Sequence, residues 1–226
     1  MKGIIFTEFM ELVEEKFGLD VLDQVLDLSN DEGIYTAVGS YDHKDLVKLI
    51  VNLSKVSGIP PEQLQEVFGE CVFLNLLRSI PSHASLQQCE TTFQFVRHVE
   101  DFIHVEVKKL YPDANPPQFD FISETQSNMV FDYRSARCMS HVCLGLIKGC
   151  AAHFGEVIHI KHQNQSEDGS QVRFWLESSM MSSAVSASID WFCVAMMPVF
   201  ISDLTTSATR SAIRLASSPT VIASGS

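Results

Sequence analysis

The sequence is poor in basic residues and has no basic run that would mark a nucleic-acid-binding surface. Its 226 residues include 16 lysines and arginines against 28 aspartates and glutamates, which gives a formal net charge of −12 at pH 7. Because such a surface repels phosphates, we expect no nucleic-acid partner. The chain is 46% hydrophobic, which excludes a disordered protein, and it is long enough for one domain with a substantial core.

The sequence also lacks the apolar segments that membrane insertion or export would need. The run Trp191–Ile201 contains Pro198 and has only eleven residues, whereas a spanning helix needs ~20 apolar residues. No apolar signal-peptide core is present near the start, because glutamates interrupt it at positions 8, 11, 14 and 15. We therefore expect a cytoplasmic protein without a membrane anchor.

Cysteines are present but form no recognisable framework. The six lie at positions 71, 89, 138, 143, 150 and 193, with no C-x-x-C pair and no regular spacing. In a cytoplasmic chain the simplest expectation is that they are reduced and partly buried.

What the chain does have is a histidine in the middle of an apolar helical pattern, between Phe93 and Leu110. On a helical wheel His104 shares a stripe with Phe93, Val96 and Val107. A second apolar face beside it is formed by Phe95, Val99 and Phe102. The helix is therefore predicted to be buried on more than one side. His104 is either a core histidine satisfied by a neighbour or a ligand, because a neutral imidazole in a dry pocket binds iron without competition from water.

A second cluster follows at Tyr133, Ser135 and Arg137. These residues alternate along the chain, so in an extended conformation their side chains point to one face. An arginine can bind a carboxylate bidentately while two hydroxyls donate to the remaining oxygens, so the trio suits a ligand with carboxylates. The alternative is a turn into a helix that begins near Arg137, with Ser135 as its cap and Arg137 solvated.

The remaining pattern is helical first and mixed later. Five helices are predicted: the first on the apolar stripe Ile5, Phe9, Leu12 and Val13, and the others over 20–28, 43–56, 61–79 and 93–110. Pro81 ends the fourth helix, and Pro112 with Pro116-Pro117 ends the fifth. Strands are predicted at 119–122, 129–132, 157–163 and 171–177, with a helix from Arg137 to Phe154 among them. The fold class is therefore α+β, with a helical N-terminal lobe and a C-terminal lobe of antiparallel strands with helices.

Together these features resemble the bacterial H-NOX family, haem nitric oxide/oxygen binding proteins related to the sensor domain of soluble guanylate cyclase. Met1-Lys2-Gly3 leads into an amphipathic helix as in that family, and Tyr133-x-Ser135-x-Arg137 matches its propionate-binding motif. His104 stands where the family carries its proximal haem ligand, and Pro117 matches the proline that presses on the haem. The resemblance covers residues 1–177; residues 178–226 form a serine- and alanine-rich tail of unknown role.

The resemblance implies haem b between the lobes and an apolar wall on its distal side, formed by six residues (Ile5, Phe9, Val72, Leu76, Val142 and Leu146). Without an acid or base there, we expect no enzymatic turnover. Oxygen-binding members place a tyrosine where this chain has Val142, so nitric oxide and carbon monoxide are the expected ligands. Gly69 and Gly145 match glycines at which the family's lobes hinge, although close helix packing would equally require them.

The implied mechanism is a ligand-driven switch in which His104 leaves the iron and the lobes shift. Because the chain has no catalytic motif, the effector would be a separate histidine kinase or an enzyme of cyclic-di-GMP metabolism. Two other functions stay open. One is a thiol or zinc redox sensor built on Cys138, Cys143, Cys150 and His162, since some relatives carry a zinc site in this region; only Cys138 and His162 match it here, and a closed site needs four ligands. The other is an oxygen-binding haem protein.

Overall fold

The computed structural model describes residues 1–79, 88–112 and 114–179. The first range contains α1 (Ile4–Phe17), α2 (Leu19–Ser29), α3 (His43–Ser57) and α4 (Pro61–Ser79). Asn30 ends α2 in a left-handed conformation, and the Asp42 side chain caps α3 by accepting the backbone N–H of Lys44. The four predicted helices are confirmed, while the predicted stop at Pro81 lies outside the described residues.

The inner faces of these helices share one hydrophobic cluster, here called the helical core. Its fully buried members come from all four helices and include Phe6, Phe9, Leu46, Leu49 and Phe68. The stripe predicted for α1 supplies Phe9 and Val13, which are buried, and Ile5 and Leu12, which are half-buried against the same cluster. This packing makes the N-terminal lobe a helical layer with its own core.

The next helix, α5, runs in three parts. It is α-helical over Thr92–His98, π-helical over Val99–Ile103 and α-helical again over His104–Leu110. Residues in the first part are buried, but none is buried from Val99 onward, and Phe102 is 53% exposed. The predicted helix is confirmed, but burial on more than one side is wrong for its second half. A π-helical turn holds more residues than an α-helical one, so it rotates the following residues out of the expected phase.

Four antiparallel strands form a sheet in the C-terminal lobe. They are β1 (Gln118–Glu124), β2 (Asn128–Arg134), β3 (Val157–Asn164) and β4 (Gln171–Ser179), in the order β1-β2-β4-β3. Alternate residues of the paired strands β2 and β4 are buried on one face, where Phe131 stacks on Phe174 with 5.3 Å between ring centroids. The predicted strands are confirmed, and β4 extends two residues past the predicted domain end. The predicted tail beyond it, from 180 to 226, lies outside the described residues.

The helix between β2 and β3, α6 (Ser140–Phe154), begins three residues later than predicted. Ser135 to Cys138 form a turn instead, and Cys138 adopts a left-handed conformation with φ 53°, which a helix cannot accommodate. Along its length α6 packs against three clusters. Val142 and Leu146 contact the helical core, and Cys143, Leu144 and Ile147 contact the sheet. Cys150 and Phe154 belong to a smaller group around Phe73 and Phe95. Helix α6 is therefore the element that both lobes share.

Two glycines bring α4 and α6 into backbone contact. A Cβ atom on Gly145 would lie 2.0 Å from the Glu66 carbonyl oxygen, and one on Gly69 would lie 2.3 Å from the Val142 carbonyl oxygen. No side chain fits at such distances, so close helix packing requires both glycines. The α+β architecture with two lobes is confirmed. Within the described ranges, no helix is long and apolar enough to cross a bilayer.

Candidate functional site

His104, the first residue after the π-helical turn, has one imidazole nitrogen held by a carboxylate. Its Nδ1 lies 2.8 Å from Glu100 Oε2, and the same oxygen accepts a hydrogen bond from the backbone N–H of Phe119 at 3.2 Å. The Phe119 ring meets the imidazole edge-on, with 5.4 Å between ring centroids. An Nδ1–H that donates to Glu100 leaves the lone pair on Nε2, which is the form of histidine that binds a metal.

Glu100 is a site residue that the sequence interpretation missed. Burial raises the pKa of its carboxyl group, but the hydrogen bond and charge of His104, with the N–H of Phe119, outweigh burial and hold that pKa below its usual value. The group is therefore an ionised acceptor at neutral pH. The available signal was its spacing, because residues four apart on a helix are neighbours. Its contact with β1 could not be seen in the sequence.

Tyr133, Ser135 and Arg137 lie close together at the end of β2. Burial raises the pKa of the Tyr133 phenol, whereas a hydrogen bond with Ser135 and the positive charge of Arg137 act in the opposite direction. The Ser135 Oγ also accepts the backbone N–H of Arg137 at 3.2 Å. Both hypotheses for this segment therefore apply. Ser135 caps a turn, and the turn brings the Tyr133 phenol, the Ser135 hydroxyl and the Arg137 guanidinium together.

Arg137 is half-buried, and not solvated as the alternative reading expected. Burial lowers the pKa of its guanidinium, and in the described part of the chain no carboxylate forms an ion pair with it. Its Nη2 donates to the carbonyl of Asn115 at 2.7 Å, which ties it to the loop that carries the half-buried Pro117. A desolvated cation without an acidic partner suits an anionic ligand that can accept several hydrogen bonds.

The six residues predicted to form an apolar wall belong to one cluster, the helical core. Phe9 and Val72 are fully buried there, and the other four are half-buried against it (Ile5, Leu76, Val142 and Leu146). Leu146 also packs in the smaller group that includes Ile103, the residue before His104. The wall is therefore contiguous with the helix that carries the imidazole. None of its side chains can donate a hydrogen bond or a proton.

The three cysteines of the thiol-sensor hypothesis, Cys138, Cys143 and Cys150, are poorly suited to sensing. Cys143 and Cys150 are buried, and burial raises the pKa of both thiols, that of Cys143 to about 12. The pKa of the exposed Cys138 is raised by desolvation and by Asp168. Reactive thiols need a lowered pKa, because the thiolate is the nucleophile. Among the described residues, no three His, Cys, Asp or Glu side chains are grouped so that they could hold a metal ion.

Comparison with known proteins points to one family. The Haem-NO-binding (HNOB) family profile matches residues 2–162. The unliganded Fe(II) H-NOX protein from K. algicida shares 34% identity at a TM-score of 0.75, over 82% of this chain and 100% of that chain. The H-NOX from Shewanella woodyi, solved with IWP-051 in the Fe(II)CO state, shares 35% identity at a TM-score of 0.67, over 83% of this chain and 99% of that chain.

The H-NOX protein from S. oneidensis in the Fe(II)NO state has 23% identity and a TM-score of 0.70, over 79% of this chain and 99% of that chain, and supports the fold alone. No curated protein is similar enough in sequence to count as a match. The resemblance first drawn from the motifs is confirmed by the family profile and by the two relatives above 30% identity. This chain belongs to the H-NOX family of haem-binding gas sensors.

Proposed function

We propose that this protein is a nitric oxide sensor that binds haem b through His104. The observation that carries the proposal is Arg137, a half-buried cation beside Tyr133 and Ser135 with no carboxylate partner in the described residues. Haem has two propionate groups, and these three side chains offer a guanidinium and two hydroxyls for them. The single imidazole with its Nδ1 held by Glu100 supplies the iron ligand.

Each part of the site has a distinct task in this proposal. When bound, haem would supply a ferrous iron that can bind a diatomic gas. His104 would bind that iron through Nε2, Tyr133, Ser135 and Arg137 would hold the propionates, and Pro117 would pack against the ring. The apolar wall excludes water and offers no acid or base, which fits a sensor better than an enzyme.

Selectivity follows from the same wall. Oxygen bound to ferrous haem carries partial negative charge and needs a hydrogen-bond donor, whereas nitric oxide and carbon monoxide do not. The polar residue next to Val142 is His141, which does not belong to this wall. Its ring centroid lies 5.2 Å from that of His162 on β3, so His141 lies near the sheet. The 35% identical relative from Shewanella woodyi has been solved in the Fe(II)CO state, which supports a diatomic gas as the ligand here.

We propose further that the output passes to a separate effector protein, a histidine kinase or a cyclic-di-GMP enzyme. If His104 left the iron, the last part of α5, from His104 to Leu110, would move more easily, because none of its residues is buried. A ligand acts on the effector only by favouring one of two states that differ at the effector's binding surface.

The first prediction tests the iron ligand. Purified wild-type protein should show an intense Soret band, and His104→Ala should lose haem or retain it only with added imidazole, since its position then lacks a nitrogen donor. The matched control is His159→Ala, which removes an exposed histidine from β3 and should leave the spectrum unchanged.

A ferrous spectrum of His104→Ala identical to that of the wild type, without added imidazole, would contradict the assignment. Wild-type protein without a Soret band would instead favour the thiol or zinc sensor. Stable oxygen binding by the ferrous wild type in air would favour the oxygen-binding alternative.

A further inference from the structure

The contact between Glu100 and His104 differs from an ordinary pair on a helix surface. Exposed ion pairs four residues apart contribute little, because water and side-chain motion weaken them. Here the side chains are only 25% and 14% exposed, and their atoms are 2.8 Å apart. The carboxylate oxygen also accepts the backbone N–H of Phe119, so β1 fixes its position. A strand amide and an imidazole thus share one acceptor.

The local helix geometry supports a functional role. Glu100 lies inside the π-helical turn Val99–Ile103, and the backbone N–H of His104 donates to the carbonyl of Val99. Single π-helical turns within α-helices are rare and occur frequently at functional sites. This turn separates the buried part of α5 from the part that carries His104.

We propose that Glu100 is a positioning residue for His104, setting the imidazole's tautomer and its strength as an iron donor. The inference rests on the proposed function, in which His104 binds the iron. A histidine that donates its second N–H to a carboxylate is fixed in orientation and becomes a more basic ligand. Glu100 therefore strengthens the bond between His104 and iron, and it sets how readily nitric oxide displaces His104.

The test is Glu100→Gln, which keeps an acceptor oxygen of the same size and removes the charge. Resonance Raman spectra of the ferrous protein should show the iron–histidine stretch at a lower frequency, and the haem reduction potential should become more positive. Haem affinity should fall by roughly 10–100-fold, as for other residues that support a metal ligand. With nitric oxide, a larger share of the variant should lose the His104 bond.

The matched control is Asp101→Asn, which removes the same charge one residue further along, from an exposed side chain. It should keep the wild-type stretch and potential. Equal stretching frequencies in Glu100→Gln and the wild type would overturn the role of Glu100. A wild-type protein without an iron–histidine stretch would overturn the proposed function instead.

A second measurement covers the case in which Glu100→Gln does not retain haem. In the ferrous carbon monoxide form of the wild type with ¹⁵N-labelled histidine, NMR should detect the His104 Nδ1 proton, protected from exchange by the carboxylate. Rapid exchange of that proton with water, or its absence from Nδ1, would overturn the inference.

Discussion

At the scale of single residues, the proposed preference for nitric oxide over oxygen rests on Val142. This side chain is half-buried against the helical core, next to other apolar members of the wall. Replacing it changes the wall's hydrogen bonding without touching His104 or the residues proposed to hold the propionates. The gas preference can therefore be tested independently of haem binding.

Val142→Tyr should raise oxygen affinity by about ten- to hundredfold, because a buried donor to a charged acceptor contributes ~1–3 kcal/mol. Nitric oxide binding should stay nearly unchanged. The control is Val142→Phe, which adds the same ring without the hydroxyl and should not gain oxygen affinity. Oxygen equilibrium and autoxidation measurements on the ferrous proteins check both. A gain as large in Val142→Phe would mean that ring packing, rather than a hydrogen bond, controls the affinity.

Sequence reasoning identified the candidate residues that stand in short motifs. His104, Tyr133, Ser135 and Arg137 each stand in a local pattern, and the structure brings the last three together. Glu100 escaped because half of its environment, the N–H of Phe119, comes from a strand 19 residues further along the chain. Burial of Arg137 escaped for the same reason, since its partner, the carbonyl of Asn115, is distant in sequence.

At the scale of elements, the contact between α4 and α6 sets how the lobes meet. The backbones touch at Gly69 and Gly145, and the neighbouring Gly149 would place a Cβ atom 2.7 Å from that of Phe73. Lys148 on α6 also pairs with Glu66 on α4. At Gly145 and Gly149 of α6 and at Gly69 of α4 there is therefore no room for a side chain.

The methyl group added in Gly145→Ala forces the helices apart at a cost of roughly 1–3 kcal/mol, and the gain in helix propensity of ~1 kcal/mol offsets part of that cost. The free energy of unfolding should therefore fall by up to about 2 kcal/mol. Urea denaturation of the haem-free protein measures it. The control is Ala152→Ser on an exposed position of the same helix, where we expect almost no change. Stability equal to or above that of the wild type would show that the helices separate without cost.

Element types could be predicted because hydrophobic periodicity is local, and the boundaries failed where the backbone departs from that period. The π-helical turn in α5 leaves the apolar composition unchanged but rotates Phe102 into solvent. The left-handed conformation of Cys138 moves the start of α6 to a later residue. Cysteine is not among the residue types that commonly adopt this conformation, so nothing in the sequence indicated it. The strand order β1-β2-β4-β3 depends on pairing between distant segments, which a single sequence does not display.

At the scale of the whole molecule, the start of the chain is connected to the end of the helix that carries His104. The N-terminal ammonium donates to the carbonyl of Tyr41 at 2.6 Å, and the Lys2 Nζ lies 3.4 Å from the centroid of the Tyr111 ring. Tyr111 directly follows α5, and its N–H donates to the carbonyl of Val107. A movement of the last part of α5 would therefore change a contact with the N-terminal lobe.

A cation–π contact of this kind contributes ~0.5–1 kcal/mol at an exposed site, which corresponds to about a two- to fivefold change in a local equilibrium. Lys2→Met should therefore speed amide hydrogen exchange in the segment His104–Leu110 by about two- to fivefold in the unliganded ferrous protein, since opening of that segment no longer breaks the contact. Lys44→Met, which removes an exposed lysine from α3, is the control and should leave this segment unchanged. With nitric oxide bound, the difference between Lys2→Met and the wild type should disappear, because the proposed release of His104 would already have freed the segment. Equal exchange without ligand would show that Lys2 does not restrain α5, and a difference that persists with nitric oxide would show that the segment keeps its contact after the ligand binds.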